Sequence, residues 1–327
     1  MKYKWSAILL VLALMITGCG MEPDSEAVKN QKQMYAMDTI MDLTLYGEDT
    51  GGVMDEAVKL IQRYDSLFSV NHEDSDIARL NAASGAAVTV SEETYELLNQ
   101  SVEISKETKG LFDISIYPLV KAWGFTTGNY QIPSVSQRQA AQKRIDYKKV
   151  CLSADRKVQL EKGMQVDLGA IAKGYLSQKL MELFQAKGMQ SALVSLGGNV
   201  QTIGTKENGE LFQIGITDPS DGVSIYGILK IKDKAVVTSG IYQRYFTKDG
   251  KQYHHIMDKR TGMPAENTLA SVTVIADNGA VADALATALY VMGEGEAISY
   301  QKTHPDIGVI LIRKDGSHWK SEGLNFS

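Results

Sequence analysis

The chain has 327 residues, 44% of them hydrophobic, and a formal net charge of −5. That balance is ordinary for a globular protein with a large core, and with no Lys/Arg-rich stretch it excludes nucleic acid as a partner. After Cys19 the only thiol is Cys151, so neither an intramolecular disulfide nor a Cys-based zinc site is available.

Lys2 and Lys4 precede an apolar run from Ala7 to Ile16, too short to span a bilayer and suited to a signal-peptide core. Residues 1–18 are expected to form a signal peptide. Ile16-Thr17-Gly18-Cys19 resembles the bacterial lipobox, in which the Cys is lipidated; the alternative is an ordinary signal sequence with a coincidental Cys. Residues 19–33 then form the lipidated Cys and a polar tether, leaving 34–327 as one folded unit. The product expected is an extracytoplasmic protein, lipid-anchored to the cell membrane through Cys19.

Helical spacing over Asp55–Phe68 places Val58, Ile61, Tyr64 and Leu67/Phe68 on one stripe. A second helix is predicted from an N-cap at Ser91 to about Lys109, with Gly110 as its stop. A short polar helix follows a Tyr130–Ser136 loop. Another is predicted from near Asp167 to Lys187-Gly188, with a wide apolar face that includes Leu168, Ile171, Tyr175, Leu180 and Phe184. The last covers about Val281–Met292 and stops at Gly293. Strand patterns occur at Val150–Leu152 and Val158–Leu160 around an Asp155-Arg156 turn, with Cys151 read as a small buried residue. Others occur at Ala192–Leu196, Phe212–Thr217, Ile225–Ile231, Ala235–Thr238, Ser271–Ala276 and Ile307–Ile312. Helices and strands mix without regular βαβ alternation, which predicts an α+β fold with mixed or antiparallel sheets and packed helices.

Asp283 and Thr287 in Asp283-Ala284-Leu285-Ala286-Thr287 are four apart and share one helix face. A carboxylate and a hydroxyl so placed offer hard oxygen ligands to Mg²⁺ beside a phosphate; the alternative is a solvated Asp and a Thr bonded back to its own helix. Asp167–Tyr175 opens a helix, with Gly169 permitting close approach and Lys173 adding charge one turn in. It suits either a phosphate or a plain capped start. Gly197-Gly198-Asn199 follows an apolar strand and fits a positive-φ turn, ligand-facing or plain. Gly110–Asp113 and Pro118–Phe125 interleave aromatics with Gly, as a heterocycle stack or a core corner would require. Of His254 and His255, strand alternation sends one toward a site and the other away, and an imidazole there could take a proton from a hydroxyl nucleophile or serve structure alone. No Walker loop, Gly-x-Gly-x-x-Gly, His-Glu-x-x-His or Gly-x-Ser-x-Gly occurs.

These blocks, in order from Met37-Asp38-Thr39 through Thr238-Ser239-Gly240 and His255–Pro264 to Asp283–Thr287, resemble the ApbE family of FAD:protein FMN transferases. The resemblance implies a T-fold-like single catalytic unit that moves FMN from FAD onto a Ser/Thr hydroxyl of an acceptor protein, releasing AMP with Mg²⁺. It implies Mg²⁺ held by Asp283, Thr287 and the Ala170 carbonyl. It implies FAD contacts from Met37, Asn71, Leu111, Phe112, Asp113, Asp167, Lys173 and Ile256, with His255 activating the acceptor hydroxyl and Asp283 serving catalysis through the metal. The implied acceptors are membrane redox subunits or secreted flavoproteins with a Ser/Thr flavinylation site. Two positions depart from the family pattern: Asp38 replaces the usual Gly, and Asn71 stands where many members carry Tyr. Losing that aromatic should weaken stacking on the dinucleotide and admit water, so FAD hydrolysis to FMN and AMP is an alternative at the same site. A flavin-carrying lipoprotein without chemistry is a third possibility, against which the metal pair and His255 count.

Overall fold

The computed structural model describes residues 29–48 and 50–327. The chain begins with strands β1 (Lys29–Ala36) and β2 (Thr39–Tyr46), helices α1 (Thr50–Phe68) and α2 (Asp76–Ala82), strand β3 (Val88–Thr89) and helix α3 (Glu92–Glu107). Helices α4 (Tyr117–Ala122) and α5 (Val135–Gln142), strands β4 (Cys151–Ser153) and β5 (Lys157–Gln159), and helix α6 (Ala172–Ala186) follow. Then come β6 (Ser191–Leu196), β7 (Asn199–Ile203), β8 (Phe212–Thr217), β9 (Ile225–Ile231) and β10 (Ala235–Gly240). Short strands β11 (Tyr245–Lys248), β12 (Lys251–His254), β13 (Met257–Asp258) and β14 (Met263–Pro264) lead to β15 (Leu269–Ala276). Helices α7 (Gly279–Met292) and α8 (Glu294–Thr303) and strands β16 (Gly308–Arg313) and β17 (His318–Lys320) complete it.

Eight strands form one sheet in the order β1-β2-β6-β7-β10-β15-β16-β17, every pairing antiparallel. Alternation along the strands sorts its two faces. Leu43, Leu45, Val194, Val237, Val272, Val274 and Leu311 join the main core with residues of α1, α3, α6 and α7. Val236, Ile275, Ile310 and Ile312 face the other way and are covered by Phe212, Ile214 and Ile216 of β8 with Leu229 and Ile231 of β9. The sheet is thus a filled layer between helices and a hairpin, as the α+β reading anticipated.

Several local expectations hold. Ser91 Oγ accepts the Thr94 N–H at 3.2 Å, capping α3, and Gly293 at φ 77° ends α7. Others change. Helix α1 starts at Thr50, since Met54 and Ala57 extend its buried stripe through Ile61, Tyr64 and Phe68. Helix α6 starts at Ala172, not near Asp167, because Asp167–Ile171 is folded into turns: Asp167 Oδ1 accepts the Gly169 N–H at 2.8 Å, and the Leu168 carbonyl accepts from Ile171 and Ala172. Cys151 is exposed rather than buried, because its neighbour Leu152 pairs with fully buried Val158 and alternation turns the thiol outward. Strand β1 pairs from Lys29 onward, so 29–33, read as tether, belongs to the sheet edge. The expected signal peptide and Cys19 lie outside the described residues. Among those described, no helix is long and apolar enough to cross a membrane.

Candidate active site

A cavity of about 1140 Å³ opens where the sheet meets the N-terminus of α6, α7 and the loops around residues 110–126 and 241–259. Every site residue that the family resemblance implies within the described range lines it: Met37, Asn71, Leu111, Phe112, Asp113, Asp167, Ala170, Lys173, His255, Ile256, Asp283 and Thr287. Residues separated by up to 250 positions are therefore brought to one wall or another of a single space.

One wall is made by two helices in close contact. Gly174 of α6 and Gly279 of α7 face each other, and a Cβ on either would be driven into the other's carbonyl oxygen. Asp283, one turn beyond Gly279, is 4% exposed, and its Oδ2 accepts the Gly174 N–H at 2.9 Å. That N–H would normally serve the carbonyl four residues back, Ala170. With Gly174 engaged by Asp283, the Ala170 carbonyl accepts no hydrogen bond in the described fold and borders the cavity. The same carboxylate thus caps α6 and frees a carbonyl beside itself. Thr287 Oγ1 lies 3.2 Å from Ser239 Oγ of β10, which orients the hydroxyl on the wall.

A carboxylate oxygen, a hydroxyl and a free carbonyl are a fitting oxygen set for a hard divalent cation. Among the described residues no three His, Cys, Asp or Glu side chains converge as a metal group, so phosphate oxygens of a bound substrate and water would complete the coordination. Lys173 Nζ reaches back to the Gly169 carbonyl at 3.3 Å. Burial raises the Asp167 pKa, opposed by the Gly169 N–H and by the Arg244 and Lys173 cations.

The two histidines separate as alternation requires. His254 is buried away from the cavity, its Nε2 3.1 Å from the Ala265 carbonyl, and burial pushes its pKa down to about 4. His255 lines the cavity. Its backbone N–H and its Nδ1 both meet the Arg244 carbonyl at 3.1 Å. A carbonyl only accepts, so Nδ1 carries the proton and Nε2 keeps its lone pair. Desolvation, reinforced by the Arg244 guanidinium, pushes the His255 pKa down to about 3 and keeps the ring neutral at pH 7. Phe125 meets the imidazole edge-on at 6.4 Å.

The remaining walls are turn-rich and mix polar with apolar side chains. Met37 and Asp38 occupy the tight β1–β2 turn at φ 48° and 58°, and the Met37 N–H donates to Asp65 Oδ1 at 2.9 Å. The second turn position takes an Asp without difficulty, since Asp tolerates the left-handed region; this accounts for the departure at Asp38. Asn71 is exposed in the loop between α1 and α2. The Asp113 carboxylate accepts from Ser115 N–H and Oγ at 2.9 and 2.6 Å and pairs with Lys259 Nζ at 2.6 Å. It shapes the Leu111–Phe112 turn. Trp123 is a core residue, its Nε1 donating to the Gly262 carbonyl at 3.0 Å and its ring packed on Tyr253 and Phe246. In the middle of the His255–Pro264 block, Asp258 holds Arg260 in a two-pronged ion pair at 2.9 Å, so that segment is scaffold. Arg244, Lys259 and Asn199 also line the cavity and were not assigned from sequence; only Asn199 had a signal, as the residue after the Gly197-Gly198 turn.

The ApbE family model matches residues 37–311. An FAD:protein FMN transferase of Treponema pallidum is 35% identical over 289 residues, covering 83% of this chain and 80% of its own. One from Klebsiella pneumoniae is 34% identical, covering 84% and 85%. The crystal structure of the ApbE protein of Thermotoga maritima superposes with a TM-score of 0.85 at 30% identity, over 90% of this chain and 97% of that one. The flavin transferase ApbE of Vibrio cholerae does so with a TM-score of 0.81 at 26% identity, over 90% and 97%.

Proposed function

This chain belongs to the ApbE family, and on that premise we propose that it is an FAD:protein FMN transferase acting with Mg²⁺ on a Ser/Thr hydroxyl of an acceptor flavoprotein. The observation that carries the reading is the meeting, in one cavity, of the Asp283, Thr287 and Ala170 oxygen set with a neutral His255 whose Nε2 is free. Mg²⁺ bound to those oxygens supplies charge neutralisation at the pyrophosphate.

The chain's residues divide the remaining work. The first turn of α6 and Lys173 hold the phosphates in place. The 37–39, 68–71 and 111–112 segments and Ile256 enclose the rest of the dinucleotide. His255 Nε2 takes the proton of the acceptor hydroxyl as its oxygen bonds to the FMN-side phosphorus. The bond from that phosphorus to the bridging oxygen breaks, and AMP leaves with the bond's electron pair. The Arg244 carbonyl steadies the resulting imidazolium through Nδ1–H. Cys19 is part of the same proposal: lipidation there would hold the enzyme on the extracytoplasmic face, near membrane redox subunits or secreted flavoproteins.

Incubation of the protein with FAD, Mg²⁺ and an acceptor carrying a Ser/Thr flavinylation site should add the mass of one FMN to the acceptor. Absence of the adduct at every Mg²⁺ concentration would end this reading. A second activity is favoured by one observation, the exposed Asn71 at the cavity wall. With Asn71 rather than an aromatic at that position, water can replace the hydroxyl and give FMN and AMP. Asn71→Tyr should suppress that release without suppressing transfer. A carrier role without chemistry predicts instead that FAD stays intact with Mg²⁺ present.

A further inference from the structure

Asn199, the first residue of β7, lines the cavity although it is only 4% exposed. Its Nδ2 has no hydrogen-bond partner. Among the described residues four buried side-chain atoms share that condition, on Thr126, Asn199, His254 and Ser271. Of these, Thr126 and Asn199 border the cavity, and Thr126 is only half-buried. A buried amide left unpaired costs stability, so its retention in the wall of a cavity calls for a partner supplied from the cavity.

The fold shows where this amide is directed. Alternation places Asn199 and Gln201 on the same face of β7. Gln201 identifies that face, since its Oε1 accepts from Ser177 Oγ of α6 at 2.7 Å. Stepping back from Gln201 to Asn199 moves about 7 Å along the strand. Stepping back from Ser177 to Lys173 moves one turn toward the start of α6, and both steps lead to the cavity wall. The β7–β10 ladder ends at the Val200–Val236 pair, so Asn199 projects where the two strands part. It therefore faces the helix start at which Asp283 holds the Gly174 N–H.

We infer that Asn199 is a phosphate-recognising residue, its amide N–H donating to a non-bridging oxygen of the dinucleotide's pyrophosphate. The inference rests on the flavin-transferase reading. An unpaired donor needs an acceptor, and the positive end of α6 with Lys173 draws the most strongly accepting oxygens of a dinucleotide to this wall. Asn199 is a binding residue in this role and touches no proton in flight.

The test is calorimetric titration of FAD, ADP and riboflavin, each with Mg²⁺, into wild type, Asn199→Leu and Asn199→Ala, with melting temperatures of the ligand-free proteins. Affinity for FAD and for ADP should fall by a common factor, about 10- to 100-fold, while riboflavin binding is unchanged. Asn199→Leu, which removes an unpaired buried amide, should melt at or above wild type. If it fails to fold, Asn199→Ala carries the same comparison. FAD and ADP affinities within twofold of wild type in either folded variant would overturn the inference, as would a loss confined to riboflavin. A wild type with no affinity for FAD would instead overturn the transferase reading on which the inference stands.

Discussion

The two chemical ends of the cavity are built differently. The proposed anion end, with Asp283, Thr287, Ala170 and the start of α6, is made by two core helices in contact at Gly174 and Gly279, with Asp283 itself buried. The proposed base end, with His255, is made by turns and short strands, and the imidazole is fixed by one backbone carbonyl, that of Arg244. At the first end the site and the core are the same atoms. At the second, the His255 imidazole extends from turns and short strands outside the helix core. Substitutions should therefore couple activity to stability at the anion end and separate them at the base end.

The strongest way to break this contrast is Gly174→Val. Its Cβ would strike the Gly279 carbonyl and the Asp283 side chain, and prying the helices apart should cost about 4 kcal/mol or more. The expected result is little folded protein, or a large fall in melting temperature by circular dichroism. A variant that melts like wild type would show that the helix contact is not what sets this wall.

His255→Gln addresses the other end. Removing the base should lower the transfer rate by about 10²- to 10⁴-fold while the melting temperature stays near wild type. Because the imidazole is held neutral by desolvation and by Arg244, wild-type kcat/KM should show no acid limb near pH 6.5, the ordinary His range, but only at much lower pH. A rate loss matched by a comparable loss of stability would erase the distinction between the two ends.

Asp283→Ala combines both effects. A carboxylate standing exposed on a helix would be removed at little cost, which is what the helical spacing alone suggests. The buried carboxylate instead leaves the Gly174 N–H unpaired, costing about 1–3 kcal/mol, while turnover is abolished and FAD affinity falls less than turnover. Thr287→Ala should be milder on both counts, since water can replace one neutral ligand. Melting curves and FAD titrations across Mg²⁺ concentrations separate these outcomes. Wild-type turnover in Asp283→Ala would refute the metal assignment.

The smallest effect expected concerns His254, which serves the scaffold. Its pKa in the fold, about 4, lies below the unfolded value of 6.5, so the unfolded chain binds the proton first as pH falls. Its contribution to stability is complete above pH 6.5 and is lost progressively between pH 6.5 and about 4, at most roughly 3 kcal/mol. Melting temperature should fall across that window in wild type and fall less in His254→Gln. Parallel profiles for the two proteins would remove His254 as the cause.

Much of the site was legible in the chain because its signals are local. Helical periodicity alone puts Asp283 and Thr287 on one face, strand alternation alone parts His254 from His255, and paired glycines mark the Gly197–Gly198 turn, found at φ 61° and 92° between β6 and β7. The mixed order of elements likewise anticipated the antiparallel sheets. What local pattern could not supply depends on neighbours distant in sequence. The start of α6 shifts to Ala172 in a segment where the Asp167 N–H donates to the distant Ile114 carbonyl at 2.8 Å, with turns filling 167–171. The Ala170 carbonyl becomes free only because Asp283, 109 positions after Gly174, takes that residue's N–H. The Asp113 carboxylate becomes the anchor of the Leu111–Phe112 turn only because Lys259, 146 positions away, reaches it. The orphaned amide of Asn199 exists only because two strands part beside a helix start. Periodicity determines which face a side chain takes; which hydrogen bond it makes there is decided by the tertiary packing that brings its partner within reach.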